Sequence, residues 1–437
     1  MSEQIPTIKL QLDTVVIGGG VAGLWLANRV KRAGFSCALL ENKALGSDQT
    51  IASQGMIHGG MKYTLSGALT GASEAIADMP QHWRACLCGE GDVDLRNTRI
   101  LSDHFYLWSG DSIAAKLTSF FASKATRGRV DSVPDEKRPP LLRHADFNGN
   151  LYKLVDIVLD VPSLVTNLAH NIDGNTFLID WSKANLQKDE NGTVGLVIEP
   201  DAEQPVRLAI QAQRFVFSAG QGNAELLAQL ELKSPAMQVR PLQQIMLKHQ
   251  HPYVFFGHCL GAETTPRLTI STHSLSQYEK VWYLGGSLAE KGATMAADEL
   301  INRAQLELAE LMPWVDLGHA EWATLPVNRA EPLQPDFMRP DNAFVAAAEG
   351  CNNLLVAWPT KLTLVPNLAN QVLALLERDG ISARDTVEAT AALKLLHDLL
   401  PLPPVAKTPW EIAFPPALSA EESLHQKFVG PDPEDDE

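Results

Sequence analysis

The sequence predicts an α/β chain in two parts, α+β overall. One part is built on a parallel sheet with crossover helices and the other on a mainly antiparallel sheet. Three observations predict this. A short apolar run, Thr14–Ile17, breaks into glycines and continues as a helical stretch, Leu24–Ala33. A second apolar run, Ser36–Leu40, follows directly and ends on an acidic residue, Glu41. Far downstream, Met237–His249, Arg267–Ser271 and Val281–Gly285 read as strands of an antiparallel sheet.

The first two observations form one βαβ unit of about 30 residues. The glycines fall as Gly18-x-Gly20-x-x-Gly23, with Ala22 in the same turn. Gly18 permits the tight turn, Gly20 lets backbone approach a pyrophosphate, and Gly23 allows close contact of helix and strand. The helix N-terminus offers free N–H groups and a positive dipole end to phosphates. Glu41 can accept hydrogen bonds from ribose hydroxyls, and its charge repels a 2′-phosphate, which disfavours NADP. The unit therefore reads as a Rossmann-like domain that binds a dinucleotide.

The remaining elements follow in order. Thr50–Thr64, rich in Gly, Ser and His, reads as a loop, and Gly71–Cys88 has a helical pattern. Arg99–Trp108 and Lys153–Val161 read as strands flanking a charged surface excursion at Ala125–Asn150. Pro162–His170 is a helix with Pro at its start. Phe177–Trp181, Val194–Glu199 and Val206–Gln211 are strands, with Asn191-Gly192 as a turn. Arg214–Ser218 is a buried strand ending in Ala219-Gly220. Met295–Met312 is a helix, Phe344–Ala347 and Leu354–Ala357 are strands, and Leu362–Glu377 is a helix. Beyond Leu400 the chain is Pro-rich and then acidic, and residues 401–437 read as an extended or disordered tail.

Composition narrows the function classes. At 437 residues the chain can hold two or three domains, and 45% apolar with 20% charged residues is a globular balance. The net charge of -16 argues against a nucleic-acid partner, because phosphate binding needs a basic surface. Five cysteines fit no disulfide framework and point to a reducing, cytoplasmic compartment. Cys86 and Cys88 form a C-x-C pair with no second ligand pair at suitable spacing, so no metal site is expected. His249 and His251 have strand spacing but lack carboxylate or cysteine neighbours. No secretory signal and no membrane-spanning apolar run is visible, which leaves only a peripheral membrane contact open.

Four segments then carry a resemblance. They are Ala52–Tyr63 with its Ile57-His58-Gly59-Gly60 core, Arg214–Gly220, Asn328–Pro332 with Pro335-Asp336, and Pro359–Thr363. In this order the chain resembles the FAD-dependent D-amino acid oxidase superfamily over roughly residues 10–380. Its glycerol-3-phosphate dehydrogenase-like branch is the most similar, since Ile-His-Gly-Gly and Lys-Leu-Thr segments recur there.

The resemblance implies FAD as cofactor. Ser53, Gln54, Gly55, His58, Gly59 and Gly60 would run beside the flavin, and Ala219 and Gly220 would lie against the cofactor. Lys361, Leu362 and Thr363 would open a helix facing the pyrimidine edge, where a positive dipole end favours negative charge. Lys62, Tyr63, Arg329 and Lys361 would face the substrate, and His58 is the residue a covalent flavin link would use. The chain departs from the glycerol-phosphate pattern at Lys62, where the family has Arg. It departs again at Gln244-Ile245-Met246, where the family has Gly-Ser-His, and at Pro359-Thr360, where it has glycines.

These readings give a discontinuous FAD-binding domain over 10–95, 160–225 and 325–395, and a substrate domain over 96–159 and 226–324. The expected activity is oxidation of a small, anionic hydroxy or amino substrate by hydride transfer to flavin. Oxygen, a quinone or a partner protein would then reoxidise the cofactor. A FAD-binding subunit without turnover of its own is the alternative, and the acidic charge disfavours a flavin-dependent RNA-modifying enzyme.

Overall fold

The computed structural model describes residues 5–60, 76–110, 130–202, 205–261, 263, 265–384 and 386–415. The chain opens with β1 (Thr7–Ile17), α1 (Val21–Arg32), β2 (Cys37–Glu41), the short β3 (Met56–Ile57) and α2 (Met79–Leu87). It continues through β4 (Ile100–Ser102), β5 (Phe105–Ser109), β6 (Val130–Ser132), β7 (Asn150–Leu154), β8 (Ile157–Leu159) and α3 (Val161–Asn171). Next come β9 (Thr176–Leu178), β10 (Ala184–Lys188), β11 (Val194–Ile198), β12 (Arg207–Phe217) and α4 (Asn223–Gln229). The long β13 (Met237–His249) precedes β14 (Gly257–Cys259), β15 (Leu268–Ser274), β16 (Lys280–Gly285), α5 (Ser287–Lys291) and α6 (Ala297–Leu311). The chain then passes through β17 (Glu321–Pro332), β18 (Phe344–Ala347), β19 (Leu354–Trp358), α7 (Val365–Arg378), α8 (Thr386–Leu399) and α9 (Pro409–Ala413).

Two eight-stranded sheets dominate the described residues. In the first, the parallel core is β19, β12, β1, β2 and β9, with β10 and β11 added antiparallel and β18 on β19. β2, β19 and the second half of β1 are buried on both faces, as parallel strands covered by helices must be. Trp25, Leu24 and Val30 of α1 pack on one face with α3 and α7, and Phe215, Phe217 and Leu396 fill the other. The second sheet runs β17-β13-β16-β15-β14-β5-β7-β6 and is antiparallel except where β14 meets β5. One face carries Ile245, Leu247, Trp282 and Leu284 against Leu300, Ala304 and Leu308 of α6.

The architecture is the expected α/β one, with several differences of extent. β1 begins at Thr7 rather than Thr14, because Thr7–Leu12 pairs in parallel with Arg207–Ala212 despite its polar, alternating sequence. Val206–Gln211 and Arg214–Ser218 are one strand, because pairing with β1 continues through Gln213. β17 pairs with β13 along its whole length, so the antiparallel sheet extends to Pro332. The excursion before Asn150 is not wholly superficial, since Leu141, Leu142 and Phe147 are buried in the second core.

Residues 401–415 are packed rather than loose. The Leu178 amide donates to the Pro401 carbonyl and the Leu45 amide to the Pro404 carbonyl. α9 carries a capping box between Thr408 and Glu411 and buries Trp410 and Phe414 against Met246, Val281 and Tyr283. Two large aromatics at the end of a Pro-rich stretch supply the apolar area that disordered tails lack. Among the described residues no helix is long and apolar enough to cross a membrane.

Candidate functional site

The glycine turn behaves as its spacing requires. Gly18 has φ +112°, and a Cβ there would lie 2.6 Å from the Ala219 backbone. A Cβ on Gly23 would overlap the Gly18 carbonyl oxygen, so α1 can approach β1 and β12 only with glycine at that position. Gly20 is different: it is the N-cap of α1, no side chain caps it, and a Cβ would meet only Thr50 Oγ1 at 3.2 Å. That N-terminus therefore presents backbone N–H groups to an anion. Ala22 lies buried in the first helical turn.

Glu41 ends β2 beside this turn, with its carboxylate buried. It accepts from the Gly19 amide at 2.6 Å and from the Asn42 and Lys43 amides at 3.0 and 2.8 Å. The carboxylate is thus held at the edge of the glycine turn. Ser218 closes the far side: its Oγ donates to the carbonyls of Ile17 and Gly18. The Ala219 amide donates to Asn223 Oδ1, and Trp358 Nε1 donates to the Gly220 carbonyl. The last contact ties the 218–220 bend to the strand leading into Lys361.

The loop from Thr50 to Gly60 runs from the turn toward the start of α7. Thr50 Oγ1 accepts from the Val21 amide at 3.1 Å. Gly55, at φ +69°, touches the Leu159 carbonyl so closely that a Cβ would overlap it. The His58 amide donates to Thr363 Oγ1 at 3.1 Å, and the Gly59 amide to Asp156 Oδ1 at 2.8 Å. Gly60 also takes a positive φ, +80°. Lys361 is buried, with Nζ donating to the Asp341 carbonyl at 3.1 Å, and it precedes the Leu362–Leu364 turn that opens α7. The structure thus brings together the glycine turn, Glu41, Ser53 to Gly60, Ala219-Gly220 and Lys361 to Thr363. Lys62 and Tyr63 lie outside the described residues.

Arg329 takes local partners. It pairs across β13 and β17 directly with Arg240, donates through Nε to the Arg240 carbonyl, and contacts Glu290 at 3.1 Å. Arg240 pairs with the buried Glu331 at 2.8 Å. Burial, and then repulsion from Arg240 and Arg339, pulls the Arg329 pKa below the ordinary guanidinium value. Arg329 and Lys361 therefore hold separate partners, a carboxylate and a carbonyl. Next to Arg329, the Ala330 amide donates to Gln49, which adjoins Thr50 of the loop.

The sequence reading missed the polar residues of the antiparallel sheet that face this loop. Gln54 Nε2 donates to the Tyr283 carbonyl at 2.8 Å and to Ser271 Oγ at 3.3 Å. Ser271 Oγ bonds His273 Nε2 at 3.0 Å, and Tyr283 donates its hydroxyl to the Ala52 carbonyl. Gln244 Oε1 and Ser53 Oγ are buried without hydrogen-bond partners. Such orphaned groups are costly unless a ligand satisfies them. His273 stacks on Trp410 at 4.1 Å, and burial pulls its pKa down to about 4. Met246 packs against the same Trp410. Polar residues alternating with apolar ones on β13 and β15 were the available signal.

The residues present fit a flavin dinucleotide: an uncapped helix end at Gly20, glycines that bar side chains, the Glu41 carboxylate beside the turn, and orphaned polar atoms on Gln244 of the sheet and Ser53 of the loop. A family model described as FAD-dependent oxidoreductase, DAO, matches residues 13–362. The chain belongs to this family. FAD is its cofactor, and the protein is an oxidoreductase. A probable FAD-dependent oxidoreductase of Pseudomonas aeruginosa, PA4991, is 48% identical over 407 residues, covering 93% of this chain and 99% of the relative. The crystal structure of PA4991 superposes with a TM-score of 0.77, at 42% identity and the same coverage. Glycine oxidase from Geobacillus kaustophilus shares the fold at TM-score 0.60 and 17% identity, covering 86% of this chain and 96% of that one. So does the FAD-bound glycerophosphate oxidase of Mycoplasma pneumoniae, at TM-score 0.60 and 11% identity, covering 84% and 95%.

The rings of His249 and His251 stack on each other at 3.4 Å and meet Trp282 edge-on. Burial first, and then Lys280 and the neighbouring ring, hold His249 at about 3; burial likewise holds His251 at about 4. Both are depressed below 6.5, so the unfolded chain binds more protons at acid pH. Their contribution is fully present above about pH 6.5 and is lost as pH falls toward 4. The melting temperature is expected to drop across that window, and the double variant His249→Phe, His251→Phe should flatten the drop. An identical pH slope in the variant would remove these rings from the account.

Proposed function

We propose that this oxidoreductase takes a small anionic compound bearing a hydroxyl or amino group, and that a hydride passes from that carbon to the flavin. Bound FAD supplies the hydride acceptor; the chain supplies position and charge. The observation that supports the reading best is the Arg329 cluster. Arg240 and Arg339 both repel Arg329, while Arg329 pairs with Glu290 and Arg240 with Glu331. Like charges directly opposite on neighbouring strands are destabilising. A substrate carboxylate or phosphate would offset the repulsion that Arg329 meets from Arg240, and bidentate binding suits a guanidinium.

Gln54 of the loop and Ser271 and His273 of the facing sheet form a neutral hydrogen-bonded row, suited to orient a hydroxyl or amine. The buried Lys361 ammonium at the head of α7 adds positive charge on the other side. The five cysteines are free, which supports a reducing, cytoplasmic setting. Oxygen, a quinone or a partner protein then reoxidises the flavin.

The test is anaerobic flavin bleaching by matched pairs: 2-hydroxy and 2-amino acids, and polyol phosphates, each beside its neutral amide, ester or dephosphorylated analogue. The anionic member of at least one pair is expected to bleach the flavin at least tenfold faster at equal concentration. Equal rates, or preference for the neutral member, would overturn the anionic reading while leaving the flavoenzyme intact.

A further inference from the structure

On α2 and the loop that follows it, three side chains of different chemistry converge. His82 and Cys86 are one helical turn apart on α2, and Asp92 comes back to them from the loop that follows. His82 Nε2 lies 3.0 Å from Asp92 Oδ1, and Cys86 Sγ lies 3.2 Å from the same oxygen. All three ligand atoms lie within 4.8 Å of one another. We propose that His82, Cys86 and Asp92 form a binding site for a divalent metal ion of the zinc type.

The geometry carries the proposal. Zinc bonds of about 2.3 Å to sulfur and about 2.0 Å to nitrogen and oxygen place tetrahedral ligands roughly 3.2–3.6 Å apart. The His82–Asp92 and Cys86–Asp92 separations of 3.0 and 3.2 Å need only tenths of an ångström of adjustment, and the His82–Cys86 separation lies within 4.8 Å. The donor set is one imidazole, one thiolate and one carboxylate, all common zinc ligands. Three protein ligands leave a fourth position, and half-buried His82 opens it toward solvent.

The surroundings are tight and oriented. Gly91 sits against Cys86 so closely that a Cβ there would overlap Sγ, which fixes the return of the loop and hence Asp92. Arg29 of α1 holds the second oxygen, Asp92 Oδ2, and donates to Asn370 at 2.8 Å as well. That leaves Oδ1 aimed at His82 and Cys86, the arrangement in which an outer hydrogen bond orients a ligating carboxylate. The guanidinium lowers affinity through its charge, which makes zinc, with its strong thiolate bond, the expected occupant over magnesium or calcium. Binding takes the thiol proton from Cys86 and the Nε2 proton of His82, which the Asp92 hydrogen bond otherwise retains, and releases both to solvent.

The signal was invisible in sequence because the ligands are spaced His-x3-Cys-x5-Asp, and Cys88, the obvious partner of Cys86, is exposed. Trp83, next to His82, stacks on Trp25 of α1 and donates to the Thr363 carbonyl. A metal here would therefore pin α2 against the cofactor helix.

The test is equilibrium dialysis of the FAD-loaded protein against Zn2+ with elemental analysis, run on wild type, Cys86→Ser, His82→Gln and Asp92→Asn. One tightly held zinc per chain is expected in wild type, with affinity at least tenfold weaker in each variant and FAD content unchanged. Should Cys86→Ser fail to fold, half-exposed His82→Gln keeps the comparison. Co2+ added to wild type should give long-wavelength bands beyond the flavin absorption, absent in His82→Gln. Zinc binding to wild type no stronger than to His82→Gln would overturn the proposal.

Discussion

Gly20→Val is expected to empty the enzyme of FAD while leaving its fold intact. The prediction separates two kinds of glycine in one turn. Gly18 and Gly23 are needed by the protein itself, since side chains there would strike the Ala219 backbone and the Gly18 carbonyl. Gly20 is needed by the ligand: its Cβ direction holds only Thr50 Oγ1 at 3.2 Å, a side-chain atom that can shift. A valine at Gly20 would stand where the pyrophosphate meets the α1 N-terminus. Each charge-assisted amide contact is worth about 1.5–3 kcal/mol. Blocking two weakens FAD by roughly two to four orders of magnitude. Flavin absorbance after gel filtration reads the loss, and circular dichroism checks the fold. Retention of FAD near wild-type affinity would show that the cofactor does not use this turn.

The second large effect is expected at Arg329. If its guanidinium clamps the substrate anion, Arg329→Ala should keep FAD and lose about a hundredfold in kcat/KM, the scale of a buried charge-assisted contact of about 2–3 kcal/mol. The loss should be largest for the anionic member of each substrate pair and small for its neutral analogue. A merely structural role through the Glu290 ion pair would instead lower thermal stability and slow both members alike. That difference between substrates, rather than the size of the loss, identifies the clamp.

Both predictions rest on residues of contrasting visibility. The cofactor side was legible because backbone requirements leave a signature in residue type. Only glycine tolerates the φ at Gly18 and the helix approach at Gly23, and the strand pattern on either side fixes their context. Glu41 was legible from its place at the end of β2. The link from His58 to Thr363, 305 residues apart, was legible only through the resemblance, because no local pattern reports a contact between distant loops.

The substrate side was less readable. Arg329 was visible as a cation in the Asn328–Pro332 segment, but its partners, Glu290 and the Arg240 strand, depend on the register of β13 against β17. Ser271 and His273 look like ordinary strand polar residues until the pleat turns them toward Gln54. The first part of the tail, 401–415, is packed rather than extended for a physical reason, and residues 416–437 lie outside the described residues. Proline and acidic residues dominate its composition, while Trp410 and Phe414 decide its packing, and averages dilute two aromatics. β1 was read short because its first half alternates, as expected of a strand with one face exposed.

The most direct measurement is a crystal structure of the protein purified with its flavin. The account predicts an extended FAD. Its pyrophosphate should lie on the amides following Gly20, its ribose by Glu41, and its ring between the Ser53–Gly59 loop and the Leu362–Thr363 turn, facing Gln54 and Ser271. A flavin ring bound away from Thr363 and the antiparallel sheet would contradict it.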